Sequence, residues 1–395
     1  MTADLISGRL GGDTFLAQVL GRAHARYPAT YADAFAYLLT WPDLNQLLAT
    51  HRLDSPRMRL SAGGTIDVAA YTQRQTYRRM PDWNRPVPHL VHEQLRNGAT
   101  LVLDAIDEMH PPINEAAAGL EAWLGTHVQV NAYASWTAQE GFGVHWDDHD
   151  VIVLQVSGRK RWRIYGMTRV APLYADMEFD HEAPTDPIDE FTMEPGDILH
   201  VPRGCWHAAA ASEGEPSLHL TCGLNTTTGA DFLAWVTDQM REHIEVRSDV
   251  PRDPDDQAAW TSTLAELVGR RLRDPGVVAD YQRFLNEVAP ARQAFSLPVA
   301  VTGELTMSSR IQLASQRCQV YKEETEIVLA AQGRRWRMAP KAAPAIGRLA
   351  EGRPIIVSEL HAAVPDISER ALLVLLRRLL DEGALIWVGE EGVAA

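Results

Sequence analysis

A chain of 395 residues exceeds what one hydrophobic core normally organises, so two or three domains are expected. With 46% hydrophobic and 23% charged residues, and 27 Gly and 23 Pro spread along it, the composition excludes a largely disordered protein. The net charge of −15 repels nucleic-acid phosphates and favours a basic partner, and Cys205, Cys222 and Cys318 share no C-x-x-C spacing, which removes a disulfide framework or a zinc ribbon.

The opening MTADLISGRLGG has no basic segment followed by an apolar stretch, and no window reaches roughly 18 uninterrupted apolar residues. The expectation is a cytoplasmic chain without a membrane span. Residues 1 to about 90 read as helices and loops, with helical runs over 15–24, 33–39 and 41–48 and turn-rich stretches over 61–64 and 80–88. Phe35, Leu38, Leu39, Leu44, Leu47 and Leu48 recur at helical spacing and form a core face.

From about Thr100 the texture turns to short β-type runs: ATLVLDAI and VQVNAYAS with a helix over 113–124 between them, then DVIVLQV. Ser157-Gly158 reads as a hairpin turn joining strands 151–156 and 161–165, and DILHVP and SLHLTCGL read as a further strand pair. Many short strands with Gly and Pro turns predict an antiparallel sandwich or barrel.

After Thr228 the strands stop. Asp231 opens an amphipathic helix carrying Phe232, Leu233, Trp235 and Val236, VPRDPDD breaks it, and helices over 257–273 and 277–288 complete a separate helical module. From about Thr302 come the β-type runs RIQLASQRCQVYK and 325–331. Near Arg353 a small unit begins. Ser358 can cap one helix and Asp366-Ile367-Ser368 can start a second, whose leucines from Leu372 to Leu380 give an apolar face before Gly383 stops it. With the strand ALIWVG behind them, these elements predict a winged helix. Residues 351–395 hold four Arg and no Lys against eight Asp and Glu, which disfavours direct DNA binding. The expected domains are 1–228, 229–300 and 301–395.

The chemistry concentrates in NAYASWTAQEGFGVHWDDHDVIVLQVSGRKRWRIY. His145 and Asp147 are two apart, so on an extended segment they share a face and can grip one metal ion. One further His completes a facial triad that leaves three positions open on an octahedral metal. The segment EPGDILHVPRGCWHAA offers His207 after a Pro-Arg-Gly loop; His200 lies within a strand run, where its direction depends on register. Asp148, His149 and Asp150 read as polar residues at a strand entrance. Lys160, just past the Ser157-Gly158 turn, can point an ammonium into the barrel while Arg159 and Arg161 face the other way; there the far carboxylate of 2-oxoglutarate would need a cation.

The motifs GFGVHWDD, VLQVSGRKRWRIY, EPGDILHVPRGCWHAA and SLHLTCG resemble the ribosomal oxygenase branch of the JmjC family, protein hydroxylases that use Fe(II) and 2-oxoglutarate. The resemblance implies an α+β chain: a JmjC-type double-stranded β-helix of the cupin kind with an N-terminal helical elaboration, then a helical dimerisation module, then a winged helix. It makes His145, Asp147 and His207 the iron ligands and Lys160 the 2-oxoglutarate anchor, and matches Asn131 and Tyr133 to residues lining the cofactor and substrate pocket. Trp136, Phe142 and Trp146 would supply dry walls. Two positions depart from the pattern: Gly223 stands where a serine-like residue is expected, and Val102 where relatives can place an arginine.

The resemblance thus implies an oxygenase acting with O₂ on a protein side chain, first of all of a ribosomal protein, in a homodimer, with hydroxylation ahead of N-demethylation. The alternatives are a peptide or a small amino acid derivative as substrate, a cupin metal enzyme that does not use 2-oxoglutarate, and a non-catalytic regulatory protein. The second leaves Lys160 without a role, and the third leaves the complete ligand set unexplained.

Overall fold

The computed structural model describes residues 2–77, 80–178, 182–212, 214–292, 294–301 and 304–390. The chain separates into two units, Met1–Thr226 and Thr227–Ala395. In the first, α1 (Thr2–Leu10), α2 (Asp13–Gln18), β1 (Ala25–Tyr27), α3 (Trp41–Thr50), β2 (Met58–Ser61), β3 (Thr72–Tyr77), β4 (Met80–Pro86), α4 (Pro88–Arg96), β5 (Thr100–Leu103) and α5 (Pro111–Leu124) precede a dense run of strands. That run holds β6 (His127–Ser135), β7 (Asp150–Ser157), β8 (Lys160–Met167), β9 (Asp189–Met193), β10 (Ile198–Val201), β11 (Cys205–Ala211) and β12 (Ser217–Asn225).

Among the described residues these strands form a seven-stranded antiparallel sheet, β1-β10-β7-β12-β6-β5-β2, and a three-stranded one, β11-β8-β9. A bridge between His145 and His207 adds the loop after β6 to the edge of the smaller sheet. From β6 onward the chain therefore visits the large, small, large, small, small, large, small and large sheets in turn, the strand order of a double-stranded β-helix.

Alternation along the strands builds two layers of core. Ile152, Leu154, Leu218, Leu220, Cys222 and Val130 face outward against Phe15, Leu44, Leu47 and Leu120 of the helices. Val151 and Val153 face inward and join Trp162, Ile164, Met193, Leu199, Val201 and Cys205 between the sheets. Because β7 is covered on both faces, residues 151–154 are apolar at consecutive positions rather than alternating.

Several expectations are corrected. Ser157-Gly158 is no hairpin: β7 pairs with β10 and β12, whereas β8 pairs with β11 and β9, so the turn carries the chain from one sheet to the other. Gly158 has φ +63°, and a Cβ there would strike the Pro216 carbonyl oxygen. DILHVP and SLHLTCGL are likewise unpaired with each other and flank β7 from opposite sides. The helix expected over 15–24 stops at Gln18, and residues 25–27 form an edge strand on β10, fastened where Arg26 bonds Asp197. Residues 33–38 are turns, although Phe35, Leu38 and Leu39 are fully buried as the helical spacing required. Residues 80–86 pair with β3 rather than forming turns, prolines being tolerated in such an outlying strand.

The second unit begins with α6 (Gly229–Asp238), α7 (Ile244–Arg247), α8 (Pro254–Leu272) and α9 (Val277–Val288). Asp231 closes a capping box with Thr228, which is the residue that caps α6. Trp235 and Val236 pack on Val277 and Tyr281. Then follow β13 (Ser309–Leu313), β14 (Gln319–Glu323), β15 (Glu326–Ala331), β16 (Arg334–Met338), α10 (Ala343–Leu349), β17 (Ile355–Ile356), α11 (Val357–Ala362), α12 (Glu369–Asp381) and β18 (Leu385–Glu390). The run RIQLASQRCQVYK divides into β13, which pairs with β17 and β18, and β14, which pairs with β15. Ser368 caps α12 and Gly383 ends it with φ +78°, while Ser358 lies inside α11. No helix of the described residues is long and apolar enough to cross a membrane.

Candidate metal centre

His145, Asp147 and His207 come together at one end of the barrel, their ligand atoms all within 4.8 Å of one another. Backbone pairing puts them there: His145 N donates to His207 O at 3.0 Å and His207 N to His145 O at 2.7 Å, which sets the two rings 4.4 Å apart. Asp147, two residues on, returns to the same face, with Oδ2 3.7 Å from His207 Nε2. Each imidazole is oriented from behind. His145 Nδ1 lies 3.1 Å from Gly143 O and His207 Nδ1 2.9 Å from Cys205 O. A carbonyl only accepts, so Nδ1 carries the proton and Nε2 is left with the lone pair a metal needs.

Burial, together with the neighbouring His145, lowers the His207 pKa to about 4, which keeps this imidazole neutral and ligand-competent. Burial works to raise the Asp147 pKa, but the imidazoles of His207, His145 and His149 outweigh it and hold the group below its ordinary value. Two imidazoles and one carboxylate, all from one side, are a donor set suited to iron(II) with open positions.

His200, the competing candidate, is excluded by register. It faces outward on β10 against Phe15, fully buried, with neither ring nitrogen hydrogen-bonded.

Lys160 opens β8, with 3% of its surface exposed, and its Nζ donates to Ser135 Oγ at 2.9 Å. Burial alone brings its pKa down to about 7. Arg159 and Arg161 point to solvent and pair with Glu215 and Glu190, as alternation predicts. Tyr133 lies flat on His219, ring centroids 4.9 Å apart and 6° from parallel. Trp162 stacks at 5.8 Å on His207 and meets His219 edge-on at 6.0 Å. Buried polar atoms on this wall lack partners: Trp162 Nε1 and His219 Nδ1. Together with an ammonium that spends one of its three donors on Ser135, they make a donor-rich interior that fits an anion with several acceptor oxygens.

Asn131 is more structural than the resemblance implies, its Oδ1 accepting from Ala105 N at 2.9 Å and from Gln129 Nε2 at 3.0 Å. Tyr133 shares a row of directly paired positions with Arg59, Val102, His219 and Gln155. Its pKa is raised, first by burial and then by Asp147 and Asp104. Of the three aromatic walls expected, only Phe142 stands at the site, 5.8 Å from His145 and 6.1 Å from Tyr133. Trp136 packs on Trp41, and Trp146, alternating with its neighbours, turns away to Tyr165 and Trp206.

Sequence reasoning missed Ser135, Trp162, His219 and Asp150. For His219 a signal existed: in SLHLTCG the outward positions Leu218, Leu220 and Cys222 are apolar, so a histidine between them must face the interior. Asp150, read as a strand-entrance polar residue, is buried; its Oδ1 accepts from Arg203 N at 3.0 Å and ties the ligand loop to the turn before His207.

A JmjC domain family matches residues 110–232, which hold all three clustered residues and Lys160. The chain is similar to ribosomal oxygenase 1 of Bos taurus, 31% identical over 311 residues that cover 68% of this chain and 46% of the relative. It is also similar to the bifunctional lysine-specific demethylase and histidyl-hydroxylase NO66 of Drosophila persimilis, 27% identical over 208 residues, 53% of this chain and 29% of the relative. The chain thus spans less than half the length of these relatives. In fold it is similar to the crystal structure of the Escherichia coli ribosomal oxygenase YcfD, with a TM-score of 0.58, 16% identity and coverage of 95% of this chain and 97% of that one. The motifs, the JmjC match and the double-stranded β-helix converge: the chain carries a JmjC domain and is similar to the ribosomal oxygenases.

Proposed function

We propose that this chain is an iron(II)- and 2-oxoglutarate-dependent oxygenase that hydroxylates a side chain of a protein, in the first place a ribosomal protein. The observation that carries this reading is the pairing of the His145, Asp147 and His207 cluster with the buried ammonium of Lys160 in the same barrel.

Iron held by His145 Nε2, an Asp147 carboxylate oxygen and His207 Nε2 would supply the redox chemistry, coupling oxidation of the 2-oxo acid to activation of O₂. The remaining work belongs to the protein. Lys160 and Ser135 hold the far carboxylate and so orient the cosubstrate from its remote end. Gly143 O and Cys205 O fix the two imidazole rings. Phe142, Tyr133 and Trp162 keep water from the reacting centre.

On the same reading residues 229–300 form a dimerisation module and 301–395 a winged helix that docks protein rather than duplex, in a cytoplasmic enzyme. The helices α6 to α9 and the α11-α12-β18 order support this, as does the acidic excess of the last 45 residues. The curated relatives' names include both hydroxylase and demethylase, and hydroxylation stands first here because the quoted motifs resemble the hydroxylase branch.

The test is anaerobic titration of the Fe(II) protein with 2-oxoglutarate, followed by mass spectrometry of ribosomal proteins incubated with enzyme, cosubstrate and air. A 2-oxoglutarate-dependent charge-transfer absorbance and products heavier by one oxygen atom are expected. If no such absorbance forms, and His145→Ala binds the metal as well as wild type, the reading is wrong.

A further inference from the structure

The segment leading into β7 carries His145, Asp147 and His149 at every second position and bends at Asp148 and His149 just before the strand. Two of the three belong to the metal cluster; His149 stands outside it. Its imidazole is nevertheless close enough to act electrostatically on both Asp147 and His207. The ring is held on one side, with Nδ1 3.0 Å from Asp148 Oδ1. Its other edge lies over Gly223 of β12, where a Cβ would stand 3.0 Å from His149 Nε2 and 3.1 Å from Cδ2.

The glycine is there for space and not for backbone freedom. Gly223 lies in regular strand, opposite Gln129 on β6 and Val151 on β7, with no left-handed φ. Any side chain at residue 223 would crowd the ring from the inner face of the large sheet, the face that Val151, Tyr133 and His219 share. A solvated surface histidine has no need of a glycine beneath it. This one is half-open, its side chain 42% exposed, at the triad's end of the barrel.

We infer that His149, seated on Gly223, is a specificity-determining residue that forms one wall of the substrate entrance and hydrogen-bonds the incoming side chain. The inference rests on the proposed oxygenase function and adds a recognition chemistry to it. Nδ1 is engaged by Asp148, so Nε2 is the ring nitrogen left to meet the incoming side chain. The group it selects is therefore a hydrogen-bonding side chain, such as an amide, imidazole or guanidinium, in place of an aliphatic one.

The experiment uses the full chain loaded with Fe(II) and 2-oxoglutarate and four peptide sets that differ only in the central residue, His, Arg, Asn or Leu. Oxygen insertion is read by mass spectrometry for wild type, His149→Phe and Gly223→Ala, and Mn(II) affinity is measured in parallel to show that the triad survives. The phenylalanine keeps a ring and lacks Nε2, and the alanine pushes the native ring aside. Wild type is expected to favour at least one of the three hydrogen-bonding sets over Leu, and both variants to shrink that preference about fivefold or more, chiefly through KM. An unchanged preference in either metal-competent variant overturns the inference, as does a wild type that favours Leu or modifies none of the peptides. The charge-transfer absorbance with 2-oxoglutarate tells such a failure apart from failure of the oxygenase reading, because it forms without any peptide.

Discussion

The Lys160 ammonium donates to Ser135 Oγ at 2.9 Å inside the barrel, and among the described residues no carboxylate pairs with it. Burial, having no opposing charge to offset it, brings the Lys160 pKa to about 7. An arriving dicarboxylate supplies the missing charge and raises that pKa, so binding takes up a proton wherever the empty site has lost one. The expected outcome is a 2-oxoglutarate Kd that is flat below pH 7 and rises by about tenfold per pH unit above it, until the pKa of the bound state is passed. Calorimetry in buffers of different ionisation enthalpy should find uptake approaching one proton at pH 8 and little at pH 6. A Kd that does not change from pH 6 to pH 9 would sink the assignment.

Replacing the ammonium tests the same contact without pH. Lys160→Ala removes a charge-assisted bond of about 1.5–3 kcal/mol, so the 2-oxoglutarate requirement should rise roughly ten- to hundredfold while Mn(II) affinity persists. Ser135→Ala removes a neutral partner and should cost only a fewfold loss, because the ammonium is still free to reach the ligand. Unchanged cosubstrate dependence in Lys160→Ala would remove the residue from the site.

Besides the backbone pair of His145 and His207, the two metal-bearing segments are tied to each other by Arg203 N to Asp150 Oδ1 at 3.0 Å and by Gly204 N to Asp147 O at 2.8 Å. Asp150→Ala should therefore cost about 1–3 kcal/mol in urea unfolding and weaken Mn(II) binding by roughly 10- to 100-fold. Burial raises the Asp150 pKa, which makes a neutral isostere acceptable, and Asp150→Asn should stay within about 1 kcal/mol of wild type. Equal losses in the two variants would show that the carbonyl-type acceptor at Oδ1 is not what holds the turn.

The site was more legible than the architecture around it, for a physical reason. His145 and Asp147 declare their shared face through a spacing of two, and Lys160 declares its direction through the alternation with Arg159 and Arg161, because strand periodicity is local. Which strand pairs with which is not local. Ser157-Gly158 has the composition of a hairpin turn, yet the flanking strands belong to different sheets because each finds better partners far along the chain. The same ambiguity hid Trp146: its neighbours face the metal, so alternation sends it to Trp206, a consequence of the very spacing that identified the ligands. Residues 25–27 and 80–86 carried no strand signal, since what orders them lies elsewhere in the chain, in β10 and Asp197 for the first and in β3 for the second.

His200, set aside as a ligand, carries a cost that acid should reveal. Its ring is fully buried between Phe15 and Asp150, with Asp150 Oδ2 3.6 Å away, and burial, aided by His24, lowers its pKa to about 3. In the unfolded chain the same imidazole takes a proton near pH 6.5. Between those values the unfolded state binds the extra proton, so stability falls as pH falls, by roughly 3 kcal/mol at pH 4 relative to neutral pH from this group alone. His200→Leu abolishes that contribution and keeps an apolar contact for Phe15. Urea unfolding at pH 7 and pH 4 should show the variant losing about 3 kcal/mol less than wild type on acidification, with the two proteins closest at neutral pH. Parallel losses would mean that His200 accepts a proton in the folded protein, with Asp150 as its partner, and that the pair is ionic in acid.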